Sequence, residues 1–180
     1  SETRVSNGRT KLQENARTFS KIEADYAPPR SVLTAIWGME SAYGYNIGNL
    51  DAPQALASQA AAGRRVDFNE GELIAIMKLI EEGHTTRDQF RRASWAGAVG
   101  QTQFMPSSFL QYGRDFDGDG MMDLWNNAGD ALATAANYLT AYGWREGEPS
   151  MVEVILPAGF DYAMSDGRKM SVGDWLGRGL

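Results

Sequence analysis

The chain has 180 residues, of which 43% are hydrophobic and 22% charged, as is usual for a globular protein, and its formal net charge is −6. Because this acidic balance leaves no basic block to neutralise phosphates, we expect no nucleic-acid partner. The absence of cysteine excludes disulfides, thiolate metal sites and cysteine nucleophiles. No apolar run is long enough to span a membrane, and no signal-peptide pattern opens the sequence.

Hydrophobic residues recur at helical spacing over the first 148 positions, which predicts a mainly α fold. The predicted helices cover 9–26, 29–41, 53–62, 73–80, 106–113 and 128–142, and a shorter one follows Gln89. Asp51 and a capping box at 67–70 are expected to begin two of them. Beyond residue 148, the stretches 151–156 and 169–172 favour short strands, and 171–176 favours one helical turn.

One carboxylate, Glu40, lies near the end of the predicted 29–41 helix, just before a segment rich in glycine and aromatic residues. Burial beside Trp37 and Met39 would raise its pKa and keep a proton available near neutral pH, as a general acid requires. The alternative, which this stretch by itself favours, is a solvated glutamate in a last helical turn.

The stretch 94–106 combines small residues with aromatic and amide side chains. Small residues allow the backbone of neighbouring segments to approach closely, and aromatic and amide groups suit a surface that binds a polyhydroxylated ligand. A tightly packed contact between helices, without any ligand, is equally compatible with this composition.

The sharpest motif is Asp115-Phe116-Asp117-Gly118-Asp119-Gly120. Carboxylates at loop positions one, three and five, followed by glycine at position six, are how an EF-hand calcium loop begins. The alternation directs three carboxylates, Asp115, Asp117 and Asp119, to one centre. We therefore expect a structural calcium ion, the alternative being a solvated acidic turn.

The second half of this loop departs from the EF-hand pattern. Met121 would supply its backbone carbonyl at position seven, and Asp123 could act through a water molecule. Position twelve is Asn126, where a bidentate glutamate is usual, so the affinity should fall unless another acid replaces it. Asp130 is the nearest candidate and would close a longer loop over 115–130.

Six blocks along the sequence together resemble the lytic murein transglycosylases of the membrane-bound lytic transglycosylase B family. They are the segments 37–41, 63–65, 94–100, 103–108 and 136–139, together with the aspartate-rich loop. The resemblance implies a lysozyme-like helical domain over 1–148, containing the calcium loop, and a small α+β appendage over 149–180. Chains of this family normally continue into a segment bearing Tyr and Asn that returns to the cleft. The sequence shows no such block, so the appendage is expected to be truncated.

The resemblance also implies a reaction, cleavage of the MurNAc–GlcNAc β-1,4 bond of peptidoglycan with Glu40 as the single acid and base. Glu40 would protonate the glycosidic oxygen and then deprotonate the C6 hydroxyl of the same MurNAc, whose attack gives a 1,6-anhydro end without water. Ordinary glycosidases instead need two facing carboxylates. The alternatives are a lysozyme-type hydrolase and a catalytically weak, calcium-stabilised glycan-binding fragment.

By the same resemblance, Ser94 and Gln103 orient the substrate near the acid, Arg64 and Arg65 hold the muropeptide, and Tyr138 lines the cleft. For the two arginines, a solvated lead-in to a helix is the alternative. The family's calcium loop closes on a late acid, as Asp130 would here. The resemblance further implies calcium but no organic cofactor, peptidoglycan glycan strands as the partner, and a periplasmic location. The sequence does not reveal the oligomeric state, and a monomer is expected.

Overall fold

The computed structural model describes residues 2–148 and 151–179, so three positions of the predicted 149–180 appendage lie outside the described residues. The chain divides into two compact units, Ser1–Glu146 and Gly147–Leu180. The helices of the first unit are α1 Glu2–Glu14, α2 Ala16–Asp25, α3 Arg30–Ser41, α4 Ala52–Ala61, α5 Val66–Glu81, α6 Pro106–Tyr112 and α7 Ala128–Ala141, with a 3₁₀ turn at Gln89–Arg91. No helix in the described ranges is long and apolar enough to cross a membrane.

The predicted helix over 9–26 is two helices, α1 and α2, separated at Asn15. The Asn15 side chain donates to the Lys11 carbonyl at 3.0 Å, and its backbone leaves the helical region at φ −108° and ψ 21°. An asparagine side chain that hydrogen-bonds to nearby backbone competes with the hydrogen bonds of the helix. The apolar periodicity continues across Asn15, so the periodicity alone did not reveal the break between α1 and α2. Phe19 and Ile22 of α2 are fully buried.

Helix α3 ends at Ser41, as predicted, and Ala42 is its C-cap. Ala42 and Tyr43 both take positive φ, 51° and 64°. The Tyr43 ring folds back on α3 so closely that a Cβ at Gly38 would come within 2.6 Å of it, and its hydroxyl donates to the Arg4 carbonyl of α1 at 2.8 Å. This packing fixes the end of α3, where Glu40 lies.

Two predicted helix caps have opposite outcomes. Asp51 caps α4, accepting the Gln54 N–H at 3.1 Å, as predicted. The capping box at 67–70 is wrong, because α5 already begins at Val66 and Asp67 lies inside its first turn. Asn69 is buried and donates to the Arg64 carbonyl at 2.7 Å, and the N-cap of α5 is Arg65, two positions before the predicted Asp67.

Helix α7 lies at the centre of the first unit, and its residues from 129 to 136 are all buried. Alanine and glycine dominate this stretch, which lets α2, α3 and α6 pack closely against it. Between the 3₁₀ turn and α6 the chain is irregular but held by three isolated antiparallel bridges, Leu50 with Ala93, Ala93 with Val99, and Val99 with Phe104.

The strands predicted at 151–156 and 169–172 are wrong: the described residues of the second unit contain a 3₁₀ turn, Tyr162–Met164, and one short helix, α8 Val172–Leu176, and no strand. Side chains along 151–156 are exposed on both faces, and two short strands alone are not stable in water. The predicted helical turn is confirmed as α8, which Ser171 and Asp174 begin with a reciprocal capping box. The described residues of the appendage, 151–179, therefore lack the β part of the predicted α+β class.

Glu72 joins two helices of the first unit. It lies on α5, is buried, and its two carboxylate oxygens accept the backbone N–H and the hydroxyl of Ser107, each at 2.7 Å. These bonds satisfy donors at the N-terminus of α6.

We therefore expect Glu72→Ala to lower the free energy of unfolding by about 1–2 kcal/mol, because the first turn of α6 loses its acceptor. Urea denaturation of this variant beside Glu70→Ala, an exposed glutamate on the same helix, measures the difference. Equal stability of the two variants would contradict a capping role for Glu72.

Candidate active site

The end of α3, the 102–105 segment, α6 and α7 together enclose a cavity of about 330 Å³. It is lined by Ile36, Glu40, Thr102, Gln103, Phe104, Met105, Ser108, Ala135, Tyr138 and Leu139. Three of the residues predicted for the site, Glu40, Gln103 and Tyr138, thus lie in one cavity, although they come from parts of the chain about a hundred positions apart.

Of the two interpretations of Glu40, burial beside Trp37 and Met39 is wrong, and the exposed alternative, which this stretch by itself favoured, is correct. Glu40 is exposed at the cavity, Trp37 is 3% exposed and points into the core, and Met39 is 64% exposed. Met39 is adjacent to Glu40 in sequence and therefore points in another direction from the helix, and Trp37 lies on the side of α3 that faces the core. Ile36, four positions before Glu40, shares a face of the helix with it. The apolar walls near the carboxylate come from Ile36, Met105 and Leu139 instead.

Glu40 is the one carboxylate among the described residues that line this cavity. The buried Glu72, which the sequence did not single out, accepts hydrogen bonds from the backbone and the hydroxyl of Ser107. A single carboxylate can donate and later accept a proton, but it does not provide the two facing carboxyl groups that ordinary glycosidases use.

Gln101, which the sequence analysis missed, positions the active-site elements. Its Oε1 accepts the Trp37 indole N–H at 2.8 Å, and its Nε2 donates to the Trp125 carbonyl at 3.2 Å. Its own carbonyl accepts the Ser41 hydroxyl at 2.6 Å. Gln101 is 6% exposed, so these bonds form away from water and hold the end of α3 against the segment that carries Gln103. The only signal for it in the sequence was its place within the 94–106 stretch.

Gln103 lies in the cavity with a strained backbone. Its φ is 51°, in the left-handed region that side chains rarely adopt. Its Nε2 donates to the Gly100 carbonyl at 2.9 Å and to the Ile47 carbonyl at 3.4 Å. Such strain persists where the surrounding contacts fix the conformation, and it is concentrated at functional sites.

Tyr138 forms an aromatic wall of the cavity. Its ring packs edge-on against Phe104 and Tyr112, with centroids 5.4 and 5.2 Å away, and lies 4.5 Å from the Tyr142 ring at 34°. Burial, and then the neighbouring Tyr142 hydroxyl, raises the pKa of Tyr138, so its hydroxyl stays protonated and able to donate.

Ser94, Arg64 and Arg65 are not among the residues that line the cavity. The Ser94 hydroxyl accepts the Ala98 N–H at 3.1 Å and so closes its own loop. Both arginines are exposed between α4 and α5, and the Arg65 guanidinium lies 3.7 Å from the centre of the Phe68 ring. Any contact of these three residues with a ligand would therefore be made outside this cavity.

The acidic loop brings together carboxylate oxygens of Asp115, Asp117 and Asp130, all within 4.8 Å of one another. Asp130 is 1% exposed at the start of α7, and its oxygens accept the Phe116 N–H at 2.9 Å and the Asp123 N–H at 2.7 Å. Burial, together with the Asp117 and Asp115 carboxylates, raises the pKa of Asp130 to about 6. Three converging hard oxygens, one on a buried acid, fit a calcium ion.

Other predicted ligands point elsewhere. An Asp119 oxygen accepts the Met121 N–H at 2.8 Å, and Asp119 is not part of the converging group. Asn126 donates to Asp123 at 2.9 Å, and its side-chain oxygen accepts from Arg92 at 3.0 Å. Of the two candidates for closing the loop, Asp130 and not Asn126 therefore lies beside the first two aspartates.

Comparison with known proteins identifies the family. The profile described as Transglycosylase SLT domain matches residues 1–180. The chain belongs to this transglycosylase family. The resemblance predicted from the six sequence blocks is thereby confirmed.

Three relatives illustrate the similarity of this transglycosylase domain to known proteins. Membrane-bound lytic murein transglycosylase B of Escherichia coli K12 is 36% identical over 124 residues, which are 68% of this chain and 34% of that protein. SltB3 from Pseudomonas aeruginosa, solved in complex with NAG-NAM-pentapeptide, is 44% identical with a TM-score of 0.88, covering 99% of this chain and 48% of its own. The Escherichia coli lytic transglycosylase Slt35, solved in complex with calcium, is 32% identical with a TM-score of 0.76, covering 83% and 47%.

These matches confirm the predicted lysozyme-like, mainly helical fold of the lytic transglycosylases. The chain spans about a third of the length of the curated relative and about half of the matched structures.

Because its hydrogen bonds are buried, Gln101 should contribute strongly to the stability of the fold. Gln101→Ala would leave the Trp37 indole N–H and the Trp125 carbonyl without their partner in a buried site, and should lower the free energy of unfolding by about 2–4 kcal/mol. Gln54→Ala, at an exposed position on α4, is the matched control and should change stability little. Urea denaturation of both variants measures their free energies of unfolding. A Gln101→Ala variant as stable as the control would contradict the role of Gln101 in holding α3 against the 102–105 segment.

Proposed function

We propose that this transglycosylase domain cleaves the MurNAc–GlcNAc bond of peptidoglycan glycan strands without water, with Glu40 as its only acid and base. The observation that carries the proposal is the single carboxylate in a cavity with apolar and aromatic walls. Membership of the family supports it, as does the relative SltB3 from Pseudomonas aeruginosa, which was also solved in complex with NAG-anhNAM-pentapeptide. That compound carries the anhydro sugar that such a reaction would produce.

Glu40 acts twice in the proposed reaction. As an acid it donates its proton to the glycosidic oxygen while the bond from C1 of MurNAc to that oxygen breaks, and GlcNAc leaves as an alcohol. As a carboxylate it then takes the proton of the C6 hydroxyl, whose oxygen forms the new bond to C1. Glu40 is protonated again at the end, so the atoms and protons balance without a water molecule.

The remaining cavity residues would orient the sugar. Gln103 and Ser108 offer an amide and a hydroxyl to sugar hydroxyls, and Tyr138 offers an aromatic face. Arg64 and Arg65, exposed outside the cavity, would contact the peptide stem of the substrate, and Ser94 would act through the shape of its loop.

Lysozyme-type hydrolysis is the alternative reaction. It would need a second group in the cavity to activate water or to form a covalent intermediate, and ordinary glycosidases use a carboxylate for this purpose. The described cavity residues offer no second carboxylate, which favours the non-hydrolytic reaction.

Glu40→Gln should fold normally, because Glu40 is exposed, and should release no anhydro-muropeptides from purified sacculi, because the amide cannot exchange the proton. The matched control is Glu81→Gln, the same change on an exposed glutamate at the end of another helix, α5. Liquid chromatography with mass spectrometry of the released products is the measurement.

The outcomes separate the proposals. Product release by the Glu40→Gln variant at the rate of the unmodified chain would contradict the catalytic assignment. Retention of the unmodified chain on sacculi with no release of product would instead identify it as a glycan-binding fragment without activity.

We further propose a calcium ion held by Asp115, Asp117 and Asp130, with a structural role. The three carboxylates converge in this chain, and the relative Slt35 from Escherichia coli was solved in complex with calcium. The ion would neutralise the repulsion among them and tie the acidic loop to the start of α7. No organic cofactor enters the proposed reaction.

Calcium should raise the melting temperature of the chain, since a ligand at 100 times its dissociation constant stabilises the fold by about 2.7 kcal/mol. Asp117→Asn should abolish most of this shift, whereas Asp119→Asn, whose carboxylate lies outside the converging group, should retain it. Differential scanning calorimetry with and without calcium tests the expectation. An unchanged midpoint at saturating calcium, or equal shifts in both variants, would overturn it.

Location and assembly follow as further proposals. The relative named membrane-bound lytic murein transglycosylase B acts, by that name, on murein, the polymer of the bacterial cell envelope. We therefore place this domain in the envelope and, more narrowly, in the periplasm, with glycan strands as its partner. The predicted monomeric state and the predicted lack of a nucleic-acid partner remain predictions from the sequence.

A further inference from the structure

Tyr142 continues the aromatic wall of the cavity outward. It follows directly after α7, one helical turn beyond Tyr138, and the two ring centroids are 4.5 Å apart at an angle of 34°. Tyr112, the last residue of α6, lies 5.9 Å from Tyr142 and 5.2 Å from Tyr138. Tyr138 lines the cavity that holds Glu40, whereas Tyr142 lies outside it. The rings of the three tyrosines therefore form a continuous aromatic surface that begins in the cavity with Glu40 and extends outward to Tyr142.

The Tyr142 ring is far more exposed to solvent than a ring that serves only packing. Tyr142 is 67% exposed, so it buries little area of its own and contributes little to the stability of the fold. Tyr112 and Tyr138 are each half-buried, and their rings pack against the Tyr142 ring. An exposed aromatic ring held next to a cavity is a common feature of ligand-binding surfaces.

The support under Tyr142 is rigid. The Asn137 side chain donates to the Tyr112 carbonyl at 2.8 Å and so joins the end of α6 to α7 at this level. A tyrosine side chain has only two rotatable bonds, and here its ring is already held by two neighbours. Little conformational entropy would be lost when a ligand packs against it.

The chemistry of the ring suits a sugar. A pyranose has faces made of C–H bonds, which pack on a flat apolar ring, and hydroxyls at its edge, which a phenol can bond as donor or acceptor. We propose that Tyr142, supported by Tyr112 and Tyr138, binds a further sugar of the glycan strand next to the one in the Glu40 cavity. This inference rests on the proposed function and makes the domain selective for strands longer than a disaccharide.

The test compares ligands of two lengths in the Glu40→Gln background, which binds without turnover. Isothermal titration calorimetry would measure the dissociation constants of the NAG–NAM disaccharide and of the tetrasaccharide with two such repeats. The additional change Tyr142→Ala should weaken tetrasaccharide binding by about fivefold and leave disaccharide binding unchanged. Tyr142→Phe should retain most of the affinity, because it keeps the ring.

A control and three outcomes complete the experiment. Tyr162→Ala removes another exposed tyrosine, 70% exposed and in the second unit, and should affect neither ligand. Equal weakening of both lengths by Tyr142→Ala would indicate a merely structural role and overturn the inference, as would no weakening of either. Both of these results leave the assignment of Glu40, tested by product release, intact. Failure of every strand to bind would overturn this inference and the proposed substrate together.

Discussion

The hydrogen bonds of Gln101 are the constraint on which the active site depends. Its buried side chain accepts from Trp37 on α3 and donates to the Trp125 carbonyl, and its backbone carbonyl accepts the Ser41 hydroxyl. These bonds lock the end of α3 to an irregular segment that has no sheet of its own to hold it. Because Glu40 is on the helix and Gln103 is on the segment, their relative placement follows from this amide and its buried partners.

Helix α7 connects the other parts of the first unit. Its first turn holds Asp130, which accepts from Phe116 and Asp123 of the acidic loop, and its third turn places Tyr138 in the cavity. Tyr142 follows directly after its last residue. A cation at the acidic loop would thus stabilise the helix that shapes both the cavity and the proposed additional sugar position.

Local spacing predicted the features that depend on neighbours in sequence, among them the α4 cap at Asp51, most helices and the acidic loop. It failed where distant contacts decide. The orientation of Glu40 depends on which face of α3 the core takes, and Gln101 matters only because Trp37 and Trp125 meet it in space. The choice of Asp130 over Asn126 likewise required the fold, since Asn126 is turned toward Arg92. The stretch 151–156 has strand-like composition, but the part of the chain that the structure describes offers it no partner strand.

In the proposed reaction, a cavity with one carboxylate breaks the glycosidic bond without water. Digestion of purified sacculi in water enriched in ¹⁸O, followed by mass spectrometry of the released muropeptides, tests it most directly. We expect products with 1,6-anhydro ends and no ¹⁸O at the newly formed terminus. Products heavier by one water molecule, with ¹⁸O at that terminus, would contradict it and establish hydrolysis.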